Sequence, residues 1–482
     1  MKKSIILLSI LTALIAGCYK DKGNYDLSDI NELTLSGSIP DTIRILQMDT
    51  LRISAVVDQS IPVPEEKLSY KWSMFTWPNS SVPEIVLGTT KDLKVAISSK
   101  PEIYALVLKV TDTETGVDYF KRFYLQVNSI LSEGWMMLED RPDGHPDASI
   151  ITPSGDIFRD IYRGANDGEL LPVNASTIRI LNSLRIGQSV FILTPDNGIE
   201  VDYAGFRKFG EAKDWFFQAP EVIKPEGYIY TKLGVTAFFL NDGFTHIYAF
   251  FNDGPQKLGA AQKGNWRISK YMMPNLSSDD MYFYDDLNQR FLSHANATIN
   301  SFANPGGSAW DMNNVGKQLV YAGPSINTYY NCLMKNNNED KFFVYRVNQG
   351  AAVPAAEIHE VLNAPGIASG KFFQSSGLYL HMYYASGNNI YLLDIPAQTA
   401  RLVYSFPAGT EITAMELKQS PTSLMFPYTE DNRQLVAATY EGGEGKFYSF
   451  SIGNTGDFTN NTYSKVYTGF GRIRDLEFKY RK

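Results

Sequence analysis

The chain has 482 residues, 44% of them hydrophobic, and a formal net charge of −8. An acidic chain with no basic run argues against a nucleic-acid partner. That length and apolar content suffice for a sizeable core without covalent cross-links.

The first elements decide the compartment. Lys2 and Lys3 precede an apolar run from Ile5 to Ala16, and Gly17-Cys18 follows. A basic n-region and a short h-region read as a signal peptide over residues 1–17, too short to span a bilayer. Ile15-Ala16-Gly17-Cys18 resembles a bacterial lipobox, which implies cleavage before Cys18 and acylation of that residue. Several buried acyl chains hold a protein stably on a membrane, where one chain does not. Removing Lys2 and Lys3 with the leader lowers the net charge to −10. Cys332 is then the single thiol, unable to form an internal disulfide, and reads as a small buried hydrophobe. Residues 18–33 are polar and form a lipidated tether.

Between 34 and 128 the apolar residues alternate in short runs: TIRI (42–45), LRISAVV (51–57), LSYKWSM (68–74), LKVAI (93–97), YALVLKVTD (104–112) and FKRFYLQV (120–127). Pro62, Pro64, Pro78, Pro83, Gly88, Pro101 and Gly116 separate them. Short strands at this spacing, with no helical period, predict an immunoglobulin-like sandwich with Trp72 in its core. Asp112, Glu114 and Asp118 flank Gly116; the pattern suits a hairpin turn better than a calcium loop.

CYKDKGNYDLSDINEL at 18–33 resembles the mature start of PKD-like lipoproteins of the Bacteroidetes. YKW (70–72) with LVLKVTDTETG (106–116) resembles the PKD domain pattern. The resemblance implies an outer-membrane lipoprotein facing the cell exterior. Its implied partners are a TonB-dependent transporter of the starch-utilisation type and the transporter's lid lipoprotein.

From 129 to 482 strand signals continue to the terminus. KFFVYRV (341–347), NIYLLDI (389–395), KFYSFSI (446–452) and, upstream, HIYAFFN (246–252) carry an aromatic residue at their third position: Phe343, Tyr391, Tyr448 and Tyr248. A step of about 50 residues built from short strands predicts a β-propeller with one four-stranded sheet per repeat. Third strands near 150, 201, 248, 292, 344, 392 and 449 predict seven blades, with six or eight as alternatives. ITAMELK (412–418) and IRDLEFK (473–479) are copies of one strand, and the second has no blade after it. A ring solves this: IRDLEFK pairs with WMMLED (135–140) and leaves no open edge. The fold class is therefore all-β, a PKD/immunoglobulin-like sandwich followed by a seven-bladed propeller.

Catalytic motifs do not appear. The five histidines form no HExxH pattern and no G-x-S-x-G elbow occurs, so neither a zinc hydrolase nor a serine hydrolase of those kinds is predicted. His246 and His294 fall in strands and read as packing residues. Asp279, Asp280, Asp285 and Asp286 suit a solvated loop better than an acid–base pair. No metal or cofactor is predicted. Aromatic residues in loop-like contexts are the candidate ligand surface: Trp215, Trp266, Trp310, Tyr329 and Tyr330. Such rings stack on sugars or grip peptides, and they equally wedge between blades. The expectation is a non-enzymatic binding or structural subunit of a glycan or oligopeptide uptake complex. The alternative is a surface hydrolase or lyase, which a cluster of carboxylates with His or Tyr at the propeller axis would favour.

Overall fold

The computed structural model describes residues 29–481 apart from 39, 48, 79–82, 184–186, 232–235, 250–256, 276–277 and 421–429. The chain divides after Asn128. Cys18 and most of the tether lie outside the described residues.

The first unit is a two-sheet sandwich. β1 (Leu33–Gly37), β3 (Thr50–Gln59) and β6 (Asp92–Ala96) form one sheet, in the order β1-β3-β6. β2 (Thr42–Leu46), β4 (Leu68–Thr76), β5 (Ile85–Gly88), β7 (Ile103–Asp112) and β8 (Asp118–Asn128) form the other, in the order β2-β8-β7-β4-β5. Alternation in β7 and β8 sends Leu106, Leu108, Phe123 and Leu125 into the core, all fully buried. Trp72 lies there too, its ring 6.1 Å from Phe123 and its Nε1–H donating to the Thr90 carbonyl at 3.1 Å. At the β7–β8 turn the Asp112 carboxylate accepts from the Glu114 and Thr115 amides, and Gly116 takes φ +73°. That is an Asx turn, as the acidic pattern around Gly116 predicts.

The second unit contains seven sheets. β9 (Gly134–Asp140), β10 (Pro146–Ile151) and β11 (Ile157–Phe158) belong to the first, and the five-residue helix α1 (Ile161–Ala165) follows. β12 (Thr177–Ser183), β13 (Gly187–Leu193), β14 (Gly198–Asp202) and β15 (Lys208–Glu211) make the second. The third has β16 (Pro225–Tyr230), β17 (Thr236–Asn241) and β18 (Phe244–Ala249). Its outer edge is covered by residues 257–262, whose Gly259 and Gln262 amides donate to the Ile247 and Thr245 carbonyls. β19 (Met273–Pro274), β20 (Met281–Asp285), β21 (Arg290–Ala295) and β22 (Thr298–Asn300) form the fourth. β23 (Gln318–Pro324), β24 (Tyr329–Lys335), β25 (Phe342–Asn348) and β26 (Ala355–Val361) form the fifth. β27 (Phe372–Ser375), β28 (His381–Ser386), β29 (Asn389–Asp394) and β30 (Thr399–Ser405) form the sixth. β31 (Glu411–Leu417), β32 (Gln434–Glu441), β33 (Glu444–Ser451) and β34 (Lys465–Phe470) form the seventh.

The last strand, β35 (Ile473–Lys479), returns to the first sheet and pairs antiparallel with β9, giving the order β11-β10-β9-β35. The innermost strand of blade 1 thus comes from the far end of the chain. This is the closure that the duplicated ITAMELK and IRDLEFK segments predict. β12, β23, β27, β31 and β35 each occupy one edge of their sheet, and neighbours among them touch from blade to blade.

Among the described residues seven apolar clusters lie along the seams between blades. The period of the sequence is the period of these seams. Tyr248, Phe343, Tyr391 and Tyr448, the repeated aromatics of the third strands, each pack toward the preceding blade. Cys332 is fully buried in the seam of blades 4 and 5, where burial pushes its thiol well up. His246 and His294 are buried as well, their rings 4.8 Å from Phe216 and Phe238.

Candidate functional site

The five aromatic candidates do not make one surface. Trp215 is 7% exposed in the seam of blades 2 and 3, its ring 5.0 Å from Phe191 and 5.5 Å from Phe239. A Cβ at Gly198 would stand 2.4 Å from that indole, so the glycine makes room for the wedge. Trp266 packs in the seam of blades 3 and 4. Trp310 packs in the seam of blades 4 and 5, 4.8 Å from Tyr345, and Tyr330 is buried in the same cluster. Tyr329 is half-buried beneath the Arg346 guanidinium, 4.2 Å from its ring. The expectation of a shared ligand face is corrected for Trp215 and Tyr330, whose rings belong to the core. Their loop-like sequence contexts reflect strand ends and tight turns at the seams. In the Asp279–Asp286 group, burial followed by repulsion from Asp285 pushes the Asp286 carboxyl up to about 6, and Asp279 accepts from the Thr231 hydroxyl. Asp285 is fully buried, holding the Arg267, Leu287 and Asn288 amides and the Arg290 guanidinium. Asp280 accepts from the Ser278 hydroxyl.

The structure opens instead at the seam where the ring closes. Between blades 7 and 1 lies a groove of about 660 Å³, within the size range of ligand pockets. Buried rings of the seam underlie it: Trp135 from β9 stands 6.0 Å from Phe447 of β33 and 5.2 Å, edge-on, from Phe478 of β35, and only their edges reach the groove. The wall on blade 7 is polar. Gln434 accepts from Trp135 Nε1–H at 3.2 Å and donates to Ser449 Oγ at 2.8 Å, while Ser464 Oγ donates to the Ser449 carbonyl at 2.9 Å. Lys465 and Pro153 are exposed at the rim. At one end Lys418 sits 4.1 Å over the Phe478 ring and pairs with Glu430 at 2.7 Å. Burial raises the carboxyl of nearby Glu133 above its ordinary value. Amide and hydroxyl groups of Gln434, Ser449 and Ser464, with Arg433, Lys465, Lys418 and Glu430 around them, suit a polar ligand such as a glycan or a peptide backbone. A smaller cleft of about 290 Å³ lies between blades 6 and 7 beside Lys371, Asn388 and Glu411.

A second constellation lies on the inner strands. The inner edge of each blade leaves backbone groups unpaired, and side chains of the preceding blade cover them. Tyr321 of β23 accepts from the Ser375 amide of β27 at 3.0 Å. Gln374 of β27 donates to the Met415 carbonyl of β31 and to the Glu416 carboxylate, both at 3.1 Å. Asp475 and Glu477 of β35 accept from the Ile178 and Ile180 amides of β12 at 3.0 and 3.2 Å. Arg179 lies 2.8 Å from Asp475 and 3.8 Å from Glu477. Desolvation, followed by repulsion from Glu477, pushes the Glu416 carboxyl up to about 8. Desolvation likewise pushes Glu477 up to about 7, against the pull of Arg179. Glu416 and Glu477 thus hold protons near neutral pH, with Asp475 and the Arg179 guanidinium beside them.

Among the described residues no group of three or more His, Cys, Asp or Glu side chains is arranged to hold a metal ion. No described helix is long and apolar enough to cross a membrane. The groove was not predicted from sequence, because its residues come from segments about 300 positions apart that only ring closure unites. The one available signal was the pairing of IRDLEFK with WMMLED, which places Trp135 and Phe478 side by side.

No curated protein matches the chain. A solved quinonprotein alcohol dehydrogenase-like protein from Bacteroides thetaiotaomicron is 12% identical at a TM-score of 0.42, over 91% of this chain and 99% of that one. The extracellular domain of a one component system from the same organism is 9% identical at a TM-score of 0.38, over 91% and 70%. Kluyveromyces lactis Hsv2 is 6% identical at a TM-score of 0.39, over 73% and 96%. The PKD-like family model matches residues 18–172, so the N-terminal part of this all-β chain is PKD-like, ahead of a seven-bladed propeller.

Proposed function

We propose that the protein is a non-enzymatic binding subunit, held at the outer membrane by acylated Cys18, that takes a glycan or oligopeptide in the groove between blades 7 and 1. The observation that carries this reading is the groove itself, about 660 Å³ lined by the hydrogen-bonding groups of Gln434, Ser449 and Ser464 and by charged side chains such as Arg433 and Lys465, over buried aromatic rings. The lipobox-like start and the PKD-like match over 18–172 support surface tethering and association with a TonB-dependent transporter and its lid lipoprotein.

One observation favours a hydrolase or lyase as a second reading. Glu416, Asp475 and Glu477 gather around Arg179 at the inner strands, and burial raises the hydroxyl of nearby Tyr271. Asp475 and Glu477 are engaged in holding the β12 edge, however, which leaves Glu416 without a free carboxylate partner for acid–base work.

The test is mild-detergent purification of the lipidated chain with mass spectrometry of what accompanies it, then titration of glycans and peptides against wild type and Gln434→Ala. A co-purifying transporter, and binding weakened about tenfold by the loss of one or two hydrogen bonds, are the expected results. Isolation of the protein alone, with polymer hydrolysis lost on Glu416→Gln, would establish the second reading.

A further inference from the structure

The outer face of the sandwich carries an aromatic and basic surface that the propeller reading does not use. Register places Val86, Ser73, Val107 and Arg122 in one row across β5, β4, β7 and β8. Phe75, Ala105 and Tyr124 form the next row, and Lys71, Lys109 and Phe120 the row on the other side. Trp77 and Ile103 continue the face beyond Tyr124. Phe120 is 64% exposed, Val86 52%, Ile103 46% and Trp77 41%. Trp77 and Tyr124 meet edge to face at 5.5 Å, and the Arg122 guanidinium lies 5.0 and 5.4 Å from the two rings. Ser73 and Ala105 at the centre of these rows are buried, and exposed aromatic and aliphatic side chains grouped around them mark an interaction site.

We infer that this face of the five-stranded sheet rests on the lipid surface to which the chain is tethered, so that the sandwich is a foot on the membrane. The inference uses the lipid anchor of the proposed function. Three observations select a bilayer as the occupant. Fifteen residues separate Cys18 from Leu33, a reach of at most about 50 Å, so the sandwich cannot leave the neighbourhood of the headgroups. The chain enters the fold at the strand end that carries Phe120: Tyr119, turned to the inner face of the sheet where Phe120 is turned to the outer, donates its OH to the Asn31 carbonyl at 2.7 Å. The charge on the face is opposite in sign to that of the chain. Arg44, Lys71, Lys109 and Arg122 point outward there; Glu84 and Asp118 answer Lys71 and Lys109, leaving Arg44 and Arg122 as the excess. Trp and Tyr at headgroup depth, with Arg beside phosphate, is the composition of a membrane interface.

The experiment reconstitutes the lipidated full chain in phosphatidylethanolamine–phosphatidylglycerol vesicles whose acyl chains are brominated, and reads tryptophan quenching. Trp72, Trp135 and Trp215 are buried in cores, and Trp266 and Trp310 are part-buried against propeller clusters, so quenching in wild type is expected to disappear largely in Trp77→Phe. In parallel, the unlipidated Cys18→Ala chain is sedimented with the same vesicles. Arg122→Glu in that background is expected to lower its partitioning roughly tenfold. Quenching unchanged by Trp77→Phe, partitioning unchanged by Arg122→Glu, or protection of Trp77 by a co-purified protein in place of lipid would each overturn the inference. Mass analysis of Cys18 judges the anchor separately: an unacylated Cys18 sinks that reading, while the sedimentation of Cys18→Ala still decides the face.

Discussion

Two seams of the propeller solve the same packing problem in different ways. Between blades 4 and 5, Trp310, Tyr330, Tyr345 and Phe343 meet over Met273 and Cys332, and the space is filled. Between blades 7 and 1, blade 7 offers Ala414, Val436 and Ala438 near the axis and Gln434 and Ser449 farther out. Among the described residues, small side chains such as Ser449 and Ser464 line the outer part of this seam, and a groove remains. The volume of a seam is thus set by the size of the side chains that alternation turns toward it. The closing seam has a polar wall, with Gln434, Ser449 and Arg433, beside its rings. Its inner strand is also the charged one: β35 carries Asp475, Glu477 and Lys479, where β23 of blade 5 carries Leu319, Val320 and Tyr321.

The largest effect should come from removing the closure. A chain ending at Gly471 lacks β35, which leaves the inner edge of β9 bare and Trp135 and Met137 without Phe478 and Leu476. Loss of the propeller's whole stability, roughly 5–15 kcal/mol, is expected as a vanished cooperative melt and rapid proteolysis within residues 129–471. A retained melting temperature would mean that the seam does not hold the ring.

Next comes a substitution in each seam. Tyr330→Ala empties a filled seam and should cost about 3–5 kcal/mol by chemical denaturation, with ligand binding untouched. Ser464→Trp fills the open one. It should cost no more than about 1–3 kcal/mol and abolish binding of any glycan or peptide that wild type holds. A Ser464→Trp variant that binds normally would move the ligand out of the groove.

Much of this fold was legible because its repeats are strong. The third strands lie near the positions that the strand signals indicate, four of them marked by the aromatic repeat, and the closure follows from the copied segments 412–418 and 473–479. Inner and outer strands were harder. β19 and β11 are two residues long, and β16, PEGYIY, contains Pro and Gly that mask its period. The aromatic candidates were misleading for a physical reason. Trp215 and Trp310 follow turn residues in sequence, yet a turn at a seam delivers its ring inward between sheets. The groove, in turn, rests on contacts such as Trp135 with Gln434, which no local pattern encodes.

A smaller effect separates the closure strand from the interior blades. Lys479 is fully buried, its Nζ donating to the Tyr203 carbonyl and lying 4.1 Å from the Tyr203 ring. Desolvation lowers its amine from 10.5 to about 7, against the pull of Asp202. Between those values the unfolded chain holds a proton that the folded chain lacks, so stability rises with pH from about 7 to about 10.5. Lys479→Met should remove that slope and stabilise the protein at pH 7 by about 1–4 kcal/mol, read from denaturation midpoints across the range. Unchanged pH dependence would show that solvent reaches the amine.

The smallest effect has the opposite sign. Glu416 ionises near 4.5 in the unfolded chain and at about 8 in the fold, where desolvation and Glu477 oppose its charge. Between these values the folded chain holds the extra proton, so stability falls as pH rises from about 4.5 to about 8. Glu416→Gln keeps the shape of the side chain and removes the titration. It should therefore flatten this fall and stabilise the protein above pH 8 by about 1 kcal/mol, a small value because the side chain is half-exposed. Glu477, pushed up to about 7, retains part of the slope in that variant. Midpoints at pH 5 and pH 9 distinguish the two groups: Lys479→Met acts on the alkaline limb and Glu416→Gln on the acid-to-neutral limb. A Glu416→Gln variant whose profile overlies wild type would place that carboxylate in bulk-like solvent, and the inner edge of blade 7 would then resemble the uncharged inner edge of blade 5.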